Sequence, residues 1–378
     1  MKKTFVPVNE PIISKIESKY LLSCIKNKEI SSSGKYVKEF EKKFAKRVNR
    51  KYAVAVSSGT AALQLAYECF NLKKGDEVIL PAFTIISCIL PIIRSGATPI
   101  LVDSNIHTWN MDINQVKKSI TKKTRAIIIP HIYGLTVDLD PIIKLCKNKR
   151  IRIIEDSAES LGLNYKKKPC GSFGDVSTFS FFANKHITTG EGGMITTNDK
   201  KIYENCKSLR NIFFNQKKRF VHYGLGWNYR LTNIQAALGI AQLKQLDKFV
   251  KIKRKIGNKY KLQLRNINHV LQPLKKLKYC ENIYWVYGLV IKKESKLKLD
   301  KIRKELFKKG IETRNFFWPL NKQPILKKMG YFKNQKFPVA EFLGKNGFYI
   351  PTGLALTEKQ QNYVIRNIKD ILKNEPKK

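Results

Sequence analysis

A lysine, two carboxylates and a serine- and glycine-rich turn are the residues of this chain whose types and spacing can do chemistry. Lys185 stands in STFSFFANKHITTGEGG (177–193), where an apolar run ends in a polar loop that presents one amine. An amine at the end of a core strand can form a Schiff base with a carbonyl. Gly190, Gly192 and Gly193 follow at once and permit sharp turns and close backbone approach. Asp156 and Glu159 come directly after the apolar run RIRII (150–154), at the carboxyl end of a predicted strand, where α/β sheets bind ligands. A buried carboxylate needs a cationic or hydrogen-bonding partner, and a protonated ring nitrogen would serve Asp156. Ser57-Ser58-Gly59-Thr60-Ala61 joins the run YAVAV (52–56) to a helical pattern, and the free N–H groups and dipole of such a helix start attract an anion.

Each piece read alone has a plainer meaning. Ser and Thr are favoured at ordinary helix caps, the acidic residues could equally cap a helix, and most lysines of so basic a chain are solvated. Their order is more specific than any one of them. An anion-holding turn, then a carboxylate, then a strand-end lysine, in one α/β domain, is the layout that pyridoxal 5'-phosphate requires of its protein. Ser180, five residues before the lysine, adds a hydroxyl toward a phosphate.

The elements that must position these residues are legible from about residue 50. YAVAVSS (52–58), EVILP (77–81), TPILVD (98–103), RAIIIPHIYG (125–134), RIRIIEDSA (150–158) and DVSTFSFF (175–182) are near-continuous apolar runs, the mark of strands buried on both faces of a parallel sheet. Helical patterns such as DINQVKKSIT and DPIIKLCKN supply the crossovers. After Asn233, apolar residues at helical spacing predict one or two long helices leading out of this domain. YWVYGLVI (284–291), LDKIRKELFKKG (299–310) and a last helix, TEKQQNYVIRNIKDILK, predict a smaller α+β domain. The fold class expected is α/β: a large domain over 1–245 with a mostly parallel sheet and the N-terminal segment, and a small C-terminal domain over 246–378.

Composition narrows the function classes. The 378 residues carry a net charge of +44, most of it lysine spread along the whole chain. Nucleic-acid binding calls for a localised basic stripe and a recognisable motif, and neither is present, so no specific nucleic-acid partner is expected. The charge still attracts an anionic substrate such as a nucleotide diphosphate. The seven cysteines are far apart with no Cys-x-x-Cys pair, so neither a zinc site nor a disulfide framework is expected. The opening MKKTFVPVNEPIISKIESKY lacks a signal-peptide apolar core, and no run reaches the about 18 apolar residues of a membrane span. A cytoplasmic location is expected.

SSGTAAL, PAFT, DSAESLG, FSFFANKHITTGEGG and GWNYRLTNIQAA resemble the DegT/DnrJ/EryC1/StrS family of sugar aminotransferases, and the likeness runs from about residue 7 to the C-terminus. The resemblance implies the aspartate-aminotransferase-like fold (fold type I) and a homodimer whose active sites draw on both subunits. It implies that Lys185 is the catalytic lysine, that Asp156 pairs the cofactor's ring nitrogen and that Glu159 contacts the side of its 3-oxygen. Gly59, Thr60, Ala61 and Ser180 match the phosphate cradle, and Asn228 matches a residue reaching the phosphate from the neighbouring subunit.

Many relatives place an aromatic residue just after the Thr of PAFT, against the cofactor ring. Ile85 stands there in this chain, with Phe83 two positions earlier as the other candidate. Deoxysugar dehydratases of the family replace the lysine by histidine; His186 follows Lys185 without replacing it, which favours transamination. ISSSGKYVKEFE, HTWNMD, HIYGLTVDLDP, YWVYGLV and RNFFWPLNKQP resemble the members that aminate C4 of GDP-4-keto-6-deoxymannose, giving GDP-perosamine for polysaccharide biosynthesis, with L-glutamate as donor. The alternatives are a UDP- or dTDP-4-keto-6-deoxyglucose substrate, or dehydration. The residues expected on the substrate side are Arg314, suited to bidentate contact with the diphosphate, Trp318 and Tyr36 for packing on base or sugar, and His186. No metal is expected in the site.

Overall fold

Apolar runs without polar alternation become the strands of a central seven-stranded sheet: β1 (Tyr52–Val56), β2 (Glu77–Pro81), β3 (Thr98–Val102), β4 (Thr124–Pro130), β5 (Arg152–Asp156), β6 (Val176–Ser180) and β7 (Gly193–Thr197). The structure is a computed structural model that describes residues 5–214, 218 and 220–373. The strand order is β1-β7-β6-β5-β4-β2-β3. β3, β2, β4, β5 and β6 pair in parallel, while β7 is antiparallel to both β6 and β1 and alone runs against the rest. β7 has no counterpart in the sequence reading. The carboxyl ends of β1, β4, β5 and β6 therefore share one edge, where Ser57, His131, Ser157 and Phe181 begin the loops that leave the sheet.

The two faces of the sheet are buried under different helices. Along β1, Ala53 and Ala55 belong to one core cluster and Val54 and Val56 to another, as the two-residue period of a strand requires. Helix α1 (Lys15–Lys26), α2 (Lys35–Arg47) and the later α5 (Asn233–Leu243) pack on the first face; α3 (Gly59–Glu68) and α4 (Lys200–Arg210) pack on the second. On α2 the rings of Phe40 and Phe44 are wholly buried against Phe181, and Phe44 also meets Phe179. Each such ring contributes roughly 2–3 kcal/mol by burial alone.

The two predicted helices after Asn233 are α5 and α6 (Leu246–Gln263). α6 begins in the first core with Leu246, Phe249 and Val250 and ends in a third with Ile256 and Tyr260. That third core lies under a four-stranded antiparallel sheet, β8 (Val270–Leu271), β9 (Tyr287–Ile291), β10 (Arg314–Asn315) and β11 (Gly347–Ile350), in the order β8-β9-β11-β10. The N-terminal segment, grouped by sequence with the large sheet, also reaches this unit. Val6 bridges Ile311, and the Val8 N–H donates to Glu312 Oε2 at 2.9 Å. The buried side chains of Val6 and Val8 explain the attachment.

Candidate active site

The shared edge of the sheet opens on a cavity of about 330 Å³, lined by residues from both sheets. The first turn of α3 forms one wall. Ser58 caps the helix, its Oγ accepting the Ala61 N–H at 3.0 Å; the N–H groups of Gly59 and Thr60 precede the helix's own acceptors and remain available. Ala61, by contrast, spends its N–H on the cap and does not line the cavity. Gly59 is required by packing: a Cβ there would lie 2.8 Å from the Ser180 Cβ, so only glycine lets the helix start approach the end of β6. Gly193, at the start of β7, lies between Val56 and Ser180 in register, and a Cβ there would collide with the Ser58 carbonyl. Ser180, Thr60 and Ser87 add hydroxyls at this end, the last two 2.9 Å apart.

Asp156 closes the opposite side from the end of β5. Its Oδ1 accepts the Ala158 N–H at 3.0 Å and its Oδ2 faces the Cys88 thiol at 3.4 Å. Burial pushes its carboxyl above the usual range. His131 lines the cavity with its ring fixed on both sides: Nε2 lies 3.0 Å from Glu155 Oε1, and Nδ1 accepts the Val137 N–H. Glu155 is itself held by N–H groups of Gly171, Phe173 and Gly174 and by the Ser177 hydroxyl. Burial opposes its charge, but these donors and His131 hold it down at about 2.

Lys185 projects from the loop after β6 with its side chain only 12% exposed. Its Nζ lies 3.7 Å from Glu159 Oε1 and 3.9 Å from the centre of the Trp285 ring. Burial lowers the pKa of this ammonium, against the attraction of Glu159 and Asp156. Burial raises the Glu159 carboxyl, against the attraction of Lys185; its Oε2 also accepts the Tyr133 N–H at 2.9 Å. Trp285 is anchored through Nε1 to the Asn184 carbonyl at 2.9 Å. The site thus offers an amine whose pKa burial lowers, two buried carboxyl groups and an anion-binding helix start on one cavity. The buried Thr178 hydroxyl, which lines the cavity, has no protein partner.

The remaining expected residues sort by position. Ile85 lines the cavity, whereas Phe83 is fully buried among Tyr133, Phe316 and Phe317, so the aliphatic residue and not the ring stands at the cavity wall. His186 points away from the cavity: it is buried, its Nε2 meets the Ile283 carbonyl at 3.3 Å, and burial lowers its pKa to about 3. Tyr36 is a buried residue of α2 whose hydroxyl meets Ser23 Oγ at 3.0 Å. Trp318 lies outside the lining and donates to the Lys322 carbonyl, while its neighbour Phe317 lines the cavity. Arg314 sits one residue removed, against Tyr349 of the lining and 3.4 Å from Glu312. Asn228 is exposed on the loop before α5, outside its own chain's cavity, with Oδ1 accepting from Arg230 at 2.9 Å.

Nothing in the local sequence marks Trp285, Tyr349, Ser87 or Thr178 as cavity residues, apart from the hint of the first that the YWVYG motif carries.

The family model described as the DegT/DnrJ/EryC1/StrS aminotransferase family matches residues 11–369. The GDP-perosamine synthase of Escherichia coli O157:H7 is 40% identical over 366 residues, which cover 97% of this chain and 98% of that protein. Among solved structures, the aminotransferase TlmJ from Streptoalloteichus hindustanus is similar with a TM-score of 0.90 at 25% identity, covering 98% of this chain and 99% of that one. The E. coli GDP-4-keto-6-deoxy-D-mannose-3-dehydratase with bound hydrated PLP is similar with a TM-score of 0.88 at 28% identity, covering 97% and 100%. A family match over residues 11–369 and 40% identity over nearly the full length show that the chain belongs to the DegT/DnrJ/EryC1/StrS aminotransferase family.

Proposed function

We propose that this protein is a pyridoxal-phosphate-dependent aminotransferase that converts GDP-4-keto-6-deoxymannose to GDP-perosamine. The observation that carries the reading is that Lys185 Nζ, the Asp156 carboxylate and the first turn of α3 open on one cavity. The cofactor fits this donor set. The Gly59 and Thr60 N–H groups with the hydroxyls of Ser180 and Ser87 suit its phosphate, Asp156 suits its ring nitrogen, and Ile85 and His131, which line the cavity, would cover its ring. The dehydratase of similar fold holds hydrated PLP. The GDP-linked sugar rests on the 40% identity to a GDP-perosamine synthase.

When bound, the cofactor supplies an electron sink for breaking a bond at the donor's Cα. Lys185 is the base and acid of the site: Nζ removes the proton from Cα of the donor amino acid and, in the second half, delivers one to C4 of the sugar. Burial favours the neutral form of its amine, and Glu159 holds it in reach when it is charged. Asp156 keeps a proton on the ring nitrogen. Trp285 and Phe317 wall the cavity against water, which strengthens each electrostatic contact inside it. Arg314, beside Tyr349 of the lining, is the residue we assign to the substrate's diphosphate.

L-Glutamate as donor and a homodimer complete the proposal. Asn228 lies outside its own cavity, and Phe220, Val221, Tyr223, Leu225 and Trp227 of the same segment are exposed, which suits a contribution to a second copy. Among the described residues no helix is long and apolar enough to cross a membrane, and a cytoplasmic location belongs to this reading. The deciding experiment is mass spectrometry of the product formed with pyridoxal phosphate and L-glutamate. GDP-4-keto-6-deoxymannose and the UDP and dTDP gluco counterparts are offered separately. An amino sugar from the GDP substrate alone supports the proposal; product only from a gluco substrate replaces the sugar, and no product from any refutes the activity.

A further inference from the structure

Two thiols that this chemistry does not use lie against each other behind α3, the helix whose first turn faces the cavity. Cys69 caps the carboxyl end of α3 and Cys206 lies in α4, with their Sγ atoms 3.2 Å apart. We propose that Cys69 and Cys206 are a thiol–disulfide exchange site that reacts with a small disulfide of the glutathione class and closes an intrachain bridge between α3 and α4.

The placement of the pair sets the order of events. Of the seven cysteines, six are buried and Cys69 alone is half-buried, so Cys69 is where a soluble disulfide can enter. Cys206 is fully buried and its proton is held by the neighbouring Cys69 and by burial, which makes it the resolving thiol. In the first step the Cys69 thiolate attacks one sulfur of the oxidised glutathione; a Cys69–glutathione bond forms, and one glutathione leaves as thiolate. That thiolate, or water, takes the proton of Cys206. In the second step Cys206 attacks the Cys69 sulfur and the second glutathione leaves. Two protein thiols are oxidised, and one glutathione disulfide is reduced to two thiols.

The geometry asks little of the fold. A disulfide needs its sulfurs about 2.05 Å apart, so they must close by roughly 1 Å. The helices that carry them already pack on each other. Cys69 also lies 3.8 Å from the Ile202 carbonyl, one turn before Cys206, which keeps its side chain against α4. No other described pair of cysteine thiols is in such contact. The bridge would join residues 137 apart, and a crosslink of that span restricts the unfolded chain strongly, so the oxidised protein is harder to unfold.

The test incubates cofactor-loaded protein with oxidised glutathione, alkylates the free thiols and maps the peptides by mass. The expected map joins the Cys69 and Cys206 peptides and leaves the other cysteines alkylated. Cys206→Ser stops with one glutathione on Cys69, and Cys69→Ser takes none. The bridged protein melts at a higher temperature than the same sample after reduction, while Cys69→Ser melts alike in both. Alkylated Cys69 and Cys206 in the wild-type map, a bridge to another cysteine, or a bridge that leaves melting unchanged would each overturn the proposal. Peptide mapping and melting need no substrate, so their outcome is independent of the aminotransferase reading.

Discussion

Replacing Lys185 by methionine removes an ammonium 3.7 Å from Glu159 Oε1 while keeping most of the side-chain volume. Two unit charges about 4 Å apart interact by about 4 kcal/mol at an effective dielectric constant of about 20, which corresponds to roughly a thousandfold in the ionisation equilibrium of the carboxyl. Burial already raises the Glu159 carboxyl in the native protein, so without the cation it is protonated at neutral pH. It can still accept the Tyr133 N–H in that form. Infrared difference spectroscopy of the apo variant at pH 7 should show a protonated carboxyl band that disappears on adding Glu159→Gln. Turnover in the cofactor-loaded variant should fall about 10²- to 10⁴-fold, the usual span for a lost acid–base group. A Lys185→Met protein without the carboxyl band would refute the electrostatic pairing. One that keeps a tenth of wild-type turnover would refute the role of the amine.

Asp156→Asn should lower turnover by about 10²- to 10⁴-fold and leave thermal melting of the apoprotein nearly unchanged, since burial already disfavours the charge it removes; calorimetry beside the product assay checks both. Ile85→Ala should weaken cofactor binding several-fold, read by fluorescence titration, with no loss in stability, because Ile85 is 42% exposed at the cavity wall. Phe83→Ala should instead cost about 3–5 kcal/mol in urea denaturation, the usual penalty for emptying a buried aromatic site. Glu155→Gln tests the buried network by pH. The native carboxyl sits at about 2, below its ordinary 4.5, so its ionised form contributes about 3 kcal/mol above pH 4.5 that is lost as pH falls toward 2. The variant should lose that much at pH 7 and show a flatter acid limb.

Much of the site was legible because a parallel α/β sheet delivers its strand ends to one edge. The runs before Ser57, Asp156 and Lys185 announce buried strands through their unbroken apolar character, and three such ends in one sheet must converge. The residues that sequence placed beside the substrate fared differently. His186 adjoins Lys185 in the chain, yet its ring turns into the core toward Ile283 while Lys185 turns toward Glu159. Trp318 and Phe317 are likewise neighbours, and only the phenylalanine reaches the cavity. Along an irregular loop no fixed period says which side chain faces in, so adjacency in sequence does not decide it.

The chain by itself determined the order of the chemical parts and the class of sheet that presents them, because composition and local periodicity are properties of short segments. Only the tertiary structure decided that β7 runs backwards between β6 and β1 and brings Gly193 beside the Ser58 carbonyl. It alone set Ile85, and not Phe83, at the cavity wall. It also brought Trp285, a hundred residues downstream, over the Lys185 amine. These are contacts between distant segments, fixed by how whole layers pack, and no local pattern encodes them.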